Sequence, residues 1–135
     1  MNYVRFITPW WRVRRVAADC GPFGPAYDVL WERDLPEVLR VAIEQEIDWF
    51  EKNLPVPPYG SFRVKSRGRW YSDGICWFVS EAREMIAHAF VLASLLRDVG
   101  VPVRKVWADY PGQVLYRDPW QIVAKPESAT PTLFC

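Results

Sequence analysis

Ile75-Cys76-Trp77-Phe78-Val79 is an unbroken apolar run of strand length, and a long helical pattern from Glu81 to Val99 follows it. A strand with no polar alternation is one covered on both faces, so this run is expected in the middle of a sheet. Ser80 is the expected cap of the helix. Ile86, Ala89, Ala93 and Leu96 line one of its faces, Met85, Leu92 and Val99 widen it, and Phe90, Val91 and Leu95 predict deep burial. Gly100 is placed to end the helix as a C′ glycine.

Upstream, Pro36 to Asn53 gives a second amphipathic helix. Leu39, Ile43, Ile47, Phe50 and Leu54 recur every three or four residues, Asp34 is a plausible N-cap, and Leu54-Pro55-Val56-Pro57-Pro58 stops the pattern. Arg40 with Glu44 and Asp48 with Lys52 are spaced to pair on its outer faces. Tyr3 to Thr8 alternates as a strand, Trp11 to Ala17 is a candidate second strand, and Gly21-Pro22-Phe23-Gly24-Pro25 reads as a loop. Phe62 to Tyr71 alternates basic and non-basic residues as one strand. Downstream, Val103 to Ala108, Val114 to Tyr116 and Gln121 to Ala124 are short strands. Pro111-Gly112 fits the centre of a type II turn and Asp118-Pro119 a second turn. The order predicts an α+β fold, a mixed and mostly antiparallel sheet with two amphipathic helices packed on it. At 135 residues the chain fits one domain, expected over 1–126 with a C-terminal tail at 127–135.

Half of the residues are hydrophobic and eight are tryptophans, which predicts a small core filled with large rings. No stretch has the apolar length of a membrane span or of an export signal. Three cysteines without a CxxC, Cys20, Cys76 and Cys135, fit reduced thiols, and a cytoplasmic location is the expectation. One histidine, with no HExxH, EF-hand loop, Walker A or GxGxxG pattern, gives no cofactor and no metal as the expectation.

The net charge of +1 conceals a segregation. Asp28 to Glu51 holds eight acids against two arginines. Tyr3 to Asp19 holds four arginines and one acid, and Phe62 to Tyr71 four cations and no acid. In a single strand Arg63, Lys65, Arg67 and Arg69 share one face, with Trp70 on the other; Arg12 and Arg14 repeat the spacing beside Trp10 and Trp11. Such a ribbon serves a protein partner, a nucleic-acid backbone, a charge-protected edge strand, or a second copy of the chain through the acidic helix. The leading expectation is a non-enzymatic interaction module that binds another macromolecule, a protein before a nucleic acid.

Several stretches resemble a group of small bacterial proteins with no assigned activity. They are Tyr3-Val4-Arg5-Phe6, Trp49-Phe50 with Asn53-Leu54-Pro55, Ile75-Cys76-Trp77-Phe78, and the ending Pro111-Gly112, Tyr116, Asp118, Gln121, Val123-Ala124 and Pro126. Arg117 and Met85 depart from the group's pattern. The resemblance implies one domain and no mechanism.

Two catalytic constellations remain. Gly74-Ile75-Cys76, a helix and then Gly100-Val101-Pro102-Val103 resemble the transglutaminase-like cysteine core, with His88 as partner. Cys76 lies roughly 13 Å along a strand from the helix cap and His88 roughly 12 Å along the helix, so a fold-back would set them level. Against this, the cysteine is mid-strand rather than at a helix start, no histidine follows His88, and a buried structural thiol is the better reading. His88 is spaced to pair with Glu84. Asp109 and Asp118 are candidate acids, but both flank turns, where aspartate serves the backbone.

Overall fold

The computed structural model describes residues 2–8, 21–58, 60, 63–66, 69–72, 74–127 and 130. Five strands form the main sheet: β1 (Tyr3–Ile7), β4 (Ile75–Val79), β5 (Arg104–Ala108), β6 (Gln113–Arg117) and β7 (Gln121–Lys125). They are ordered β5-β1-β4-β7-β6, and each neighbouring pair is antiparallel. Among the described residues there are three helices: α1 (Phe23–Val29), α2 (Glu37–Asn53) and α3 (Arg83–Asp98). A separate hairpin joins β2 (Arg63–Ser66) and β3 (Arg69–Ser72). The α+β class is as expected.

The expected parallel component of the sheet is absent for a topological reason. The α3 crossover does link two strands of the same direction, β4 and β5. β1 lies between them and pairs with both, so those two strands never meet.

β4 occupies the centre of the sheet, where its apolar run predicts it. Val4 pairs with Phe78, and Phe6 lies two residues on, so the three residues share a face. There the Phe6 ring meets Phe90 of α3 edge-on at 5.1 Å, and the Phe78 ring lies 6.3 Å from Phe50 of α2. The alternate residues Ile7, Trp77 and Ile122 are also fully buried, so both faces of the central strands are covered.

The periodic faces of the two long helices lie inward. Ile43, Ile47 and Phe50 of α2 are buried, as are Met85, Ala89, Leu92, Ala93 and Leu96 of α3. Phe90 and Val91, expected inside, are instead partly exposed on the flank of α3.

Three local expectations are corrected. Gly21 to Pro25 is not wholly loop, because α1 starts at Phe23; Pro25 falls in its first turn, where a missing N–H is tolerated. Asp34 does not cap α2: Pro36 holds the N-cap position without a side-chain bond, and Arg40 turns back to Glu37 at 3.5 Å rather than on to Glu44. Ser80 does not cap α3. A tight turn in which the Ala82 N–H donates to the Val79 carbonyl uses up Ser80 and Glu81, so the helix begins at Arg83.

Gly100 closes α3 in the left-handed region, at φ 88°. Its N–H donates to the Arg97 carbonyl and the Val101 N–H to the Leu96 carbonyl, the two bonds of a Schellman motif. Leu96 and Val101 are both buried beside it. In the expected tail, Thr130 is buried; its N–H donates to the Glu127 carbonyl, while its hydroxyl accepts from the Glu127 N–H.

Candidate functional site

The basic ribbon does not run as one strand. Arg63 pairs with Ser72, Val64 with Tyr71, Lys65 with Trp70 and Ser66 with Arg69, so the alternating stretch folds back on itself. The charge alternation continues without a break from Arg63 to Arg69 in the sequence, so it imitates a single strand. In the hairpin Arg69 is the partner of Ser66 rather than a continuation of the Arg63 and Lys65 row. Trp70 stands opposite Lys65, not across the strand from it. Arg12, Arg14 and Arg67 lie outside the described residues.

The Cys76–His88 pair is not assembled. His88 Nδ1 is hydrogen-bonded to Glu46 Oε2 of α2 at 2.7 Å, and its ring stacks on Trp49 with centroids 3.6 Å apart. Its partner is thus Glu46 on the neighbouring helix rather than Glu84 one turn away, because its side of α3 faces α2. Cys76 sits mid-strand and lines a cavity to which His88 does not contribute. Solvent reaches the thiol, but the protein packed around it penalises a charge. This desolvation outweighs the favourable Arg5 charge and, helped by Asp118, pushes the thiol up to about 11. A thiolate nucleophile needs the opposite shift.

Asp109 and Asp118 end the two edge strands at the same end of the sheet, four strand spacings or about 19 Å apart along it. Asp118 is engaged by its own turn. Oδ1 accepts from the backbone N–H groups of Trp120 (2.9 Å) and Gln121 (3.0 Å), and Oδ2 accepts from the Tyr116 hydroxyl and the Gln121 amide (both 3.1 Å). The Gln121 amide also donates to the Pro55 carbonyl at 2.6 Å, which ties the segment after α2 to the sheet. Pro55, Tyr116, Asp118 and Gln121, all residues of the resembled pattern, thus form one structural network.

Two features were not anticipated from the sequence. The first is a cavity of about 320 Å³ between α1, α2, the 54–57 segment and the sheet, walled chiefly by Phe6, Phe23, Ile47, Phe50, Leu54 and Phe78. The second is Trp31, in the turn after α1, with 87% of its surface exposed. Arg40 of α2 donates from Nη1 to the Leu30 carbonyl and from Nη2 to the Glu32 carbonyl (3.1 Å), one on each side of Trp31. The N–H groups of Trp31 and Glu32 donate to Asp28 and Val29. The turn is therefore fixed while its largest side chain faces solvent. Exposed Glu32, Asp34 and Glu37 follow it closely in the chain, against two cations, exposed Arg33 and the Arg40 that pins the turn. The sequence signal was the segregated acid between Asp28 and Glu51; nothing marked this tryptophan as external.

Among the described residues no three His, Cys, Asp or Glu side chains come together as a metal site, and no helix is long and apolar enough to cross a membrane. No protein-family model matches the chain, and comparison with curated proteins and with solved structures returns no match.

Proposed function

We propose that this domain is a non-enzymatic interaction module that binds another protein through the acidic side of its charge-segregated surface, with Trp31 as the anchor. The observation that carries the reading is the pinned turn. An exposed tryptophan on fixed backbone offers a large contact area with little ordering cost on binding, which is what interface hot spots supply. The flanking acids favour a partner surface bearing lysine or arginine, by complementarity and by faster encounter.

Trp31→Ala removes no core contact, so stability is expected to change by less than about 0.5 kcal/mol. Partner affinity is expected to fall by about 2 kcal/mol, roughly 30-fold. The measurement is quantitative mass spectrometry of proteins recovered from a lysate of the source cells on the immobilised native domain and on the variant. A set of proteins that is depleted on the variant supports the reading. Equal recovery of every protein on both overturns it.

The hairpin register favours a second reading. Cross-strand partners share a face, so the Lys65 and Trp70 positions fall together, the combination of cation and ring that single-strand nucleic-acid binders use. Under this reading a labelled single-stranded oligonucleotide raises anisotropy at low salt, and its affinity drops steeply as salt is added. A flat salt response, or no binding at low salt, removes it.

A further inference from the structure

The cavity beneath α1 and α2 has its own chemistry, independent of the Trp31 turn. Most of its polar wall groups are already engaged, the exception being the buried Trp77 indole N–H, which has no hydrogen-bond partner among the described residues. The Tyr27 hydroxyl donates to Glu51 Oε1 at 2.6 Å at the rim. The Gln121 amide nitrogen donates to Pro55 and to Asp118, which also occupies the Pro55 carbonyl. Arg5 has interactions of its own. Cys76, held protonated across the neutral range, behaves as a small hydrophobe. The remaining surface is phenylalanine, tryptophan, isoleucine, leucine, valine, proline and one glycine.

A peptide segment brings backbone N–H and C=O groups that must be paired when buried, and these walls offer few polar groups to pair them. A carboxylate or phosphate needs a charge partner, and the cation on these walls, Arg5, already has interactions of its own. A neutral hydrocarbon surface needs neither. Size points the same way: an apolar cavity of about 150 Å³ holds a benzene ring, so about 320 Å³ holds roughly a dozen carbon atoms, as two rings or a short chain.

We infer that this cavity is a binding site for a small, neutral, apolar molecule, entering past Tyr27 and Val56 and resting on Cys76, Phe78 and Phe6. Val56, at the cavity wall, is 89% exposed, and Tyr27 is 45% exposed, so the mouth opens to solvent.

The test uses two dyes with the same ring frame, neutral N-phenyl-1-naphthylamine and its sulfonated anion 1-anilinonaphthalene-8-sulfonate. The neutral dye is expected to bind with enhanced fluorescence, and the anion about tenfold or more weakly, because a sulfonate must be desolvated against mainly apolar walls whose cation, Arg5, has interactions of its own. Cys76→Phe, which fills the cavity from a solvent-reached position, is expected to abolish the signal while thermal melting shows the fold intact. In the native protein, saturating neutral dye is expected to slow iodoacetamide alkylation of Cys76 at mildly alkaline pH about tenfold, read by peptide mapping so that Cys20 and Cys135 are counted separately. Protection by the dye keeps the test decisive if Cys76→Phe does not fold. No binding of the neutral dye, binding of both dyes with equal affinity, or binding without protection of Cys76 overturns the inference.

Discussion

Gly112→Ala is expected to destabilise the domain by about 2–5 kcal/mol. Two costs add. Gly112 is held at φ 110°, a conformation that L side chains rarely adopt, and a Cβ there would overlap the carbonyl group of Lys125, reaching 2.8 Å from its carbon. The glycine leads from the Pro111 turn into β6 exactly where that strand begins to pair with the end of β7, so neither backbone can withdraw without opening the ladder. Gly100→Ala provides the control. Its φ is also positive, but a Cβ there meets nothing within 4 Å, so the expected loss is the conformational cost alone, about 1–2 kcal/mol. Urea unfolding of the native protein and both variants checks this; equal losses at the two glycines would contradict the close approach at Gly112.

Asp118→Ala is expected to cost about 2–4 kcal/mol in the same measurement. The carboxylate accepts four hydrogen bonds, and two of their donors belong to Gln121, which is buried. Removing it leaves the Gln121 donors short of a partner in a site that water reaches poorly. It also loosens the amide that holds Pro55. Asp118→Asn is expected to lose about half as much. One oxygen remains for the two backbone N–H groups, but the new amide nitrogen faces the Tyr116 hydroxyl and the Gln121 amide as a donor. A loss for Asp118→Ala below about 0.5 kcal/mol, the range of ordinary surface changes, would remove Asp118 from the structural network.

The contrast between these residues and the cavity explains what could be read from the chain. Leu39, Ile43, Ile47 and Phe50 announce a buried helix face because the periodicity is local and the core lies on one side. Ile75 to Val79 announces a central strand for the same local reason, and Asp118 and Gly112 announce turns because their chemistry acts within a few residues. The hairpin at Arg63–Ser72 was hidden by a regular charge pattern that continues across the turn and so imitates one strand. Ser80 and Asp34 look like caps, yet each helix begins two or three residues later, where the preceding turn ends. The cavity was not legible at all. Its walls come from distant segments, each contributing ordinary apolar residues, and a void is a property of how they meet. Trp31 was hidden by its own residue type, since large rings are usually interior and only the Arg40 bonds to its neighbours' carbonyls show it held outside.

The sheet order has a consequence for the timing of synthesis. β1 leaves the ribosome before the other described strands, yet its longest pairing is with β5, from Tyr3 against Ala108 to Ile7 against Arg104. At ordinary translation speeds of about 5–20 residues per second, β1 waits roughly 5–20 s for that partner. Its other neighbour, β4, comes earlier but engages only Tyr3 and Val4. Until Ala108 has emerged, an apolar strand containing Val4, Phe6 and Ile7 lacks most of its pairing, and this interval is when the nascent chain is most exposed to aggregation and most dependent on chaperones.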